Sequence, residues 1–396
     1  MSPFKKFKKR IRLAINLTIY RLTDWGAEKN VEIEEKTLVI VKNDFIGDYV
    51  LFRNVLPYIR QSEKYKDYKI ILIGNITWKN LAETLDAQYY DEMIWVAYDK
   101  LFKNFRYRSR TIKSLLSRGF DTLFYPVYTG EYYTETFLIS KIKANKKIKI
   151  TPLPLEDLKE EHIFNAMIHT PHENMFEVYR YKEIVELFLG ISIPNFEWRS
   201  LSSDAYTSQA VTEKPYVVFF PGSSAYLKRW HTSNFVKVAK HLIKQHNYTI
   251  VLTGARKDTK YAKAIIAGLE KQYRKQMIDC TGKTSLLDLA SLIKHSDLLV
   301  TNDSVSIHMA AAQAKEAVCV FMGENYGRFI PYPKEVYSKG IFICPPSVKA
   351  MVNDNEETRT YLSLDYNPKI DEISPEAVID AVEIILRRKN KNAFVE

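Results

Sequence analysis

At 396 residues, 46% of them hydrophobic and 27% charged, the chain has room for two domains with ordinary cores, and global disorder is excluded. Its three cysteines, Cys280, Cys319 and Cys344, are widely spaced and odd in number, which argues against a disulfide framework or a zinc site and fits a reducing cytoplasm. The net charge is +11, and no apolar run approaches the roughly 18 residues a membrane-spanning helix needs.

Charge is concentrated at the start, where the first 24 residues carry seven lysines and arginines against one aspartate. In FKKFKKRIRLAINLTIYRL, Phe4, Phe7, Ile11, Ile15 and Leu22 recur near helical spacing beside a basic face, the pattern of a helix lying on anionic lipid. Residues 1–30 are therefore read as a basic amphipathic leader. A solvated helix packed on the body is the alternative. A secretory signal is opposed by Asn16, Thr18 and Arg21 and by the lack of a small-residue cleavage site. No aromatic-basic recognition motif accompanies the charge, so nucleic acid is not an expected partner.

From Thr37 apolar strands alternate with helical stretches: TLVIVK, a helix to Ile59, KIILIG, a helix from Trp78 to Leu85, EMIWVA, a helix through Leu101 to Leu116, and DTLFYPV. This alternation predicts a mostly parallel sheet flanked by helices. In VKNDFIGDYVLFRNVLPYIR a strand runs through the single glycine Gly47 into a helix. One glycine satisfies neither a dinucleotide nor a P-loop pattern. Asp44 and Asp48 flank the turn, and Asp48 reads equally as a catalytic carboxylate or a helix N-cap. The stretch YPVYTGEYYTETF follows the last strand of this half. Its tyrosines, Tyr128 and Tyr132 among them, can stack on a sugar or fill a core.

The polar stretch SLSSDAYTSQAVTEKP separates this half, residues 31–205, from a second one, residues 206–396. There the order is YVVFFPG, a helix from Ser233 to Gln245, YTIVLTG, a helix from Thr259 to Lys271, MIDC, a helix from Leu286 to His295, DLLVTND and AVCVFMG. In FFPGSSAYLKRW, Ser223, Ser224 and nearby N–H groups can receive phosphate oxygens while Lys228 and Arg229 supply charge; the competing reading leaves both cations solvated and packs Trp230 on the domain. In TNDSVSIHMAAA, Asp303 or Ser304 can cap a helix whose alanines let it lie close to the sheet and whose N-terminus offers free N–H groups to an anion. His308, one turn in, is either structural or functional. The segment from Cys344 to Pro368 reads as an ordered loop or lid, and Ser374-Pro375 opens a final helix. No DxD, HExxH, CxxC or GxSxG motif is present, so neither metal-assisted nor serine-nucleophile chemistry is indicated.

In this order, GD in the first strand-turn-helix, PGSS…KRW, and TGKTSLLDLASLIKHSDLLVTNDSVSIHMAAA resemble glycosyltransferase family 9, the lipopolysaccharide heptosyltransferases, from about Thr37 to the final helix. The resemblance implies an α/β protein of GT-B architecture, two Rossmann-like domains facing across a cleft. It implies an acceptor-binding N-terminal domain, a C-terminal domain for a nucleotide-sugar donor, and metal-independent, inverting transfer with no cofactor. By motif, Asp48 corresponds to the general base, Lys228 to the lysine on the donor phosphates, Asp303 and Ser304 to the residues holding sugar and diphosphate, and His308 to the histidine beside them. Ser223, Ser224 and Asp258 are further donor-side candidates, Asp258 toward the ribose, where the family usually has glutamate. Asp44, Tyr128 and Tyr132 are the acceptor-side candidates.

One departure stands out: the family usually has glycine after the Asp-Ser pair, and Val305 stands here. The expected function is sugar transfer to a lipopolysaccharide core or other lipid-linked saccharide, by an enzyme held at the inner face of the bacterial inner membrane. An inactive sugar-nucleotide binder or assembly protein of the same fold is the alternative.

Overall fold

The computed structural model describes residues 31–101, 103–128, 136–151, 163–170, 175–201, 215–354 and 369–392. The basic leader, Tyr132 and most of the polar stretch before residue 215 lie outside them.

The described residues fall into two compact units. The first comprises residues up to Phe45, Val55–Glu173 and Tyr181–Ile193; the second comprises Ile46–Asn54, Asn174–Arg180 and everything from Pro194. The short helix that bears Asp48 thus belongs with the second unit, although the strand preceding it belongs to the first.

The first unit is built on β1 (Ile33–Lys42), β2 (Lys69–Asn75), β3 (Glu92–Val96), β4 (Gly119–Tyr125), β5 (Lys143–Thr151) and β6 (Ala166–His169), all pairing in parallel in the order β3-β2-β1-β4-β5-β6. The register sets Leu38 against Ile70 and Val39 against Leu123, so β1 is covered on both faces and its run of β-branched and leucine side chains is fully buried. Val39, Val41, Ile71, Ile73, Phe120 and Leu123 form the centre of this core.

Two strands here, β5 and β6, escape the alternation read from sequence. In KANKKIKIT four of the nine residues are lysines, yet β5 lies between β4 and β6, burying Ile148 and Ile150. Pairing on both edges overrides a composition that by itself favours solvent. The helix expected through Leu101 to Leu116 is broken: Asn104 Oδ1 accepts a 3.0 Å hydrogen bond from Tyr107 N and starts a new helix, Phe105–Leu116.

The second unit repeats the plan with β7 (Tyr216–Phe220), β8 (Thr249–Leu252), β9 (Met277–Asp279), β10 (Leu298–Asn302), β11 (Ala317–Val320) and β12 (Gly340–Ile343), in the order β12-β11-β10-β7-β8-β9. Both sheets therefore have the doubly wound order of a dinucleotide-binding domain, and in each the winding reverses beside the first strand. Helices Thr232–His246, Thr259–Gly268 and Pro375–Asn392 cover one face with Val238, Leu242, Ile265, Val378, Val382 and Ile385. As Ser374-Pro375 suggests, the last of these begins with Ser374 Oγ accepting from Ala377 N at 3.2 Å. The segment read as a loop after Cys344 contains a helix, Pro346–Asp354, because Val348 is buried against Gly323; residues 355–368 lie outside the described ones. No described helix is long and apolar enough to cross a membrane.

Candidate functional site

In a doubly wound sheet, ligands sit beyond the carboxyl ends of the strands where the winding reverses. In the second unit that point lies between β7 and β10. The loops leaving these strands are PGSSAYLKRW and DS, the two segments whose polarity is unexplained by packing alone.

Side chains tie the loops together. Asn302, fully buried at the end of β10, donates to Pro221 O at 2.8 Å and accepts from Trp230 N at 3.2 Å. Ser223 Oγ donates to Asp303 O at 3.1 Å. Lys228 Nζ lies 2.9 Å from Asp303 Oδ2 and 3.5 Å from Glu324 Oε2. Burial by itself would lower the pKa of Lys228; Asp303 and then Glu324 outweigh it and leave the pKa raised, so this lysine is an ammonium at neutral pH.

Its neighbours divide between structure and surface. Arg229 is spent structurally: its guanidinium donates to Ser223 O at 3.1 and 2.8 Å and to Tyr261 OH at 2.8 Å. Trp230 follows its packing reading, buried with its indole N–H on Ile373 O at 2.9 Å. Ser224 is exposed, and Tyr226 is 78% exposed in the turn leading to Lys228.

Ser304 precedes helix Val305–Ala312 in extended conformation, but its side chain does not cap this helix end. Its hydroxyl lies 2.7 Å from Ser306 Oγ instead. Among the described residues the first N–H groups of the helix therefore have no side-chain cap. Val305, at the first helical position, is partly exposed, whereas Ala310 and Ala311 are buried and bring the helix close to the sheet.

His308 is 5% exposed, with Nδ1 2.7 Å from Tyr332 OH. Burial lowers its pKa to about 4, opposed by Asp303 and assisted by Lys228, so the imidazole is neutral at physiological pH.

Gly47 acquires its reason here: a Cβ at this position would lie 3.0 Å from His308 Cδ2. A larger side chain there would press helix Ile46–Phe52 against the buried imidazole. Asp48 stands within the first turn of that helix, not ahead of it, so the N-cap reading does not describe it. It is partly exposed.

Asp258 is only 2% exposed. Its Oδ2 accepts from Ala255 N at 3.0 Å, and a Cβ at Gly222 would fall 2.5 Å from that same oxygen. The carboxylate is thus packed beneath the loop after β7, capping the turn that starts helix Thr259–Gly268.

In the first unit the winding reverses between β1 and β4. Asp44 follows β1 and Tyr128, buried, follows β4, so two of the acceptor-side candidates occupy that point. Asp44 Oδ2 is paired with the fully buried Lys42, whose Nζ also donates to Tyr181 OH at 2.7 Å. The Asp44 carbonyl accepts from Asn75 Nδ2 and Trp78 Nε1, each at 3.3 Å. The sequence reading passed over Lys42 and Tyr181, as it did Tyr332 and Glu324. Only Lys42 carried a signal, a lysine closing the apolar strand TLVIVK.

Twin parallel sheets with this strand order, flanked by helices, give the GT-B fold. Solved structures agree: a glycosyl transferase family 9 protein from Veillonella parvula has a TM-score of 0.65 at 18% identity, covering 91% of this chain and all of that one. The E. coli ADP-heptose lps heptosyltransferase II has 0.64 at 17%, covering 89% and 99%.

Residues 163–351, a little under half of the chain, match the family model of glycosyltransferase family 9 (heptosyltransferase). Among curated relatives, lipooligosaccharide heptosyltransferase 2 of Haemophilus influenzae is 27% identical over 177 residues, 44% of this chain and 49% of that protein. Lipopolysaccharide heptosyltransferase 2 of E. coli is 28% identical over 176 residues, 44% and 48%. The chain spans about half the length of the curated relatives it matches.

Proposed function

We propose that this protein transfers a sugar, of heptose type, from a nucleoside diphosphate donor to a lipopolysaccharide core or other lipid-linked saccharide, with inversion and without a divalent metal at the reacting centre. The observation that carries this reading is the Lys228–Asp303 pair beside a helix end with no side-chain cap, at the winding reversal of the second sheet. The relatives, heptosyltransferases of lipopolysaccharide and lipooligosaccharide, support this substrate class.

In this mechanism an acceptor hydroxyl oxygen attacks the anomeric carbon, Asp48 takes its proton, and the bond from that carbon to the diphosphate oxygen breaks in the same displacement. A single displacement inverts the anomeric centre. The leaving diphosphate gains negative charge, which Lys228 and the amides at Ser304–Ser306 stabilise without a metal ion. Ser223 and Ser224 line the same edge. Asp303 orients Lys228 and the sugar, and His308 acts as a neutral wall behind Gly47. Asp258 supports the loop that meets the nucleotide. Acceptor binding falls to the first unit, at Asp44, Tyr128 and Tyr132.

The site of action is the inner face of the inner membrane. In support, Lys103, Arg106, Arg110 and Lys113 form one exposed stripe along and just before helix Phe105–Leu116, with no ion pair among the described residues. No acidic residue occurs between Asp99 and Asp121. The stripe and the basic leader together suit an anionic membrane surface.

Transfer from ADP-heptose to a core-truncated lipopolysaccharide acceptor tests the reading. Asp48→Asn is expected to lower kcat by about 10²–10⁴ while donor affinity stays within about threefold. Lys228→Ala is expected to raise the donor Kd by roughly 10–100-fold, the loss of one charge-assisted contact. Transfer that survives Asp48→Asn would remove the general-base role, and undiminished donor binding in Lys228→Ala would move the diphosphate elsewhere.

A further inference from the structure

Helix Thr232–His246 begins at the carboxyl edge of the second sheet, beside Lys228, and runs back to the opposite edge before Asn247 turns the chain into β8. Fifteen residues of helix span roughly 22 Å, so its last turn is remote from the candidate active site. At that far end His241 Nε2 and His246 Nε2 converge on one carboxylate oxygen, Glu383 Oε1, at 2.7 and 2.5 Å. Glu383 comes from the C-terminal helix Pro375–Asn392. The three ligand-type atoms all lie within 4.8 Å of one another, and each residue is about a quarter exposed.

We propose that His241, His246 and Glu383 form a structural site for a zinc-class divalent cation that ties the C-terminal helix to the second unit. Two imidazoles and a carboxylate are a donor set suited to Zn²⁺, leaving a position for water. A tetrahedral ion with bonds near 2.0–2.1 Å separates its ligand atoms by about 3.3 Å. Reaching that geometry lengthens the two nitrogen-to-oxygen separations from 2.7 and 2.5 Å by roughly 0.6 and 0.8 Å, a side-chain adjustment at partly exposed residues.

The backbones that carry the ligands are already fixed. Val238, Ala239, Leu242 and Ile243 on one helix and Val378, Val382, Ile385 and Leu386 on the other are buried in one core. Partial exposure gives the ion an entry path. The spacing, two histidines five residues apart and a glutamate far downstream, matches no linear metal motif, which is why the sequence is silent about it.

The test uses the full chain stripped with a chelator, then titrated with Zn²⁺ in competition with a chromophoric chelator, alongside thermal unfolding with and without Zn²⁺. The expected result is one equivalent bound with micromolar or tighter Kd, a Tm raised by several degrees, and binding weakened at least tenfold in both His246→Ala and Glu383→Gln. Glu383→Gln preserves side-chain shape and one hydrogen-bond acceptor, so it separates ligand loss from misfolding. Absence of binding in the wild-type protein, or equal binding in the two variants, overturns the proposal and leaves a hydrogen-bonded surface cluster. The outcome is independent of whether transferase activity is found.

Discussion

His308 shows how a single residue couples the fold to pH. Unfolded, its imidazole takes up a proton near pH 6.5; folded, burial keeps it neutral down to about 4. Between these values the unfolded chain binds a proton that the folded chain refuses, so stability that is full above pH 6.5 is lost as pH falls toward 4. The loss from this group is about 3 kcal/mol. Denaturant midpoints measured from pH 7 to pH 4 are expected to fall more steeply for the wild-type protein than for His308→Gln, by about that amount; parallel curves would show that burial does not govern this group. Lys228 behaves oppositely. Its raised pKa keeps it charged through the neutral range, so donor binding should not lose this contact between pH 6 and 9.

At the scale of elements, Gly47 is where the first motif meets the third. Alanine there would gain roughly 0.5–1 kcal/mol of helix propensity, but its methyl group would press on an imidazole pinned by Tyr332 at 2.7 Å, with Cδ2 only 3.0 Å away. Overpacking of this kind costs about 1–3 kcal/mol. Gly47→Ala is therefore expected to destabilise by about 1 kcal/mol net. It should also reduce kcat beyond what that loss explains, since helix Ile46–Phe52 carries Asp48. A variant with unchanged Tm and rate would show that the two helices yield freely. Helix starts were legible where a side chain declares them: Ser374-Pro375 opens the last helix, where Ser374 Oγ accepts from Ala377 N at 3.2 Å. Lysine-rich β5 was not legible, because its strand character comes from two neighbours that local sequence does not contain.

Over the whole molecule, charge has a direction. Four cations on the Phe105–Leu116 stripe, each contributing about 1 kcal/mol near an anionic surface, give an affinity difference on the order of a thousandfold when all are removed. Replacing Lys103, Arg106, Arg110 and Lys113 by glutamine is expected to abolish sedimentation with vesicles containing anionic lipid at about 0.1 M salt. Neutral vesicles should bind neither protein. If the quadruple variant sediments like the wild-type protein and deletion of residues 1–24 does not, the leader alone makes the attachment.

Much of this protein was settled by local sequence. Runs of Val, Ile and Leu broken by glycine turns specify two parallel α/β units, and PGSS…KRW with TNDSVSIH locate the polar loops that leave β7 and β10, because strand ends and helix starts are short-range chemistry. Tertiary structure alone decided what those residues touch. Arg229 and Trp230 turned inward while Lys228 stayed at the edge on Asp303, and Asp258 went beneath the loop. The Asp48 helix joined His308 in the second unit. The physical reason is that, the Arg229–Ser223 contact apart, the partners lie tens of residues away along the chain, at a distance set by the order in which strands pair. Burial, and with it the charge state of His308 and Lys228, exists only once that order is in place.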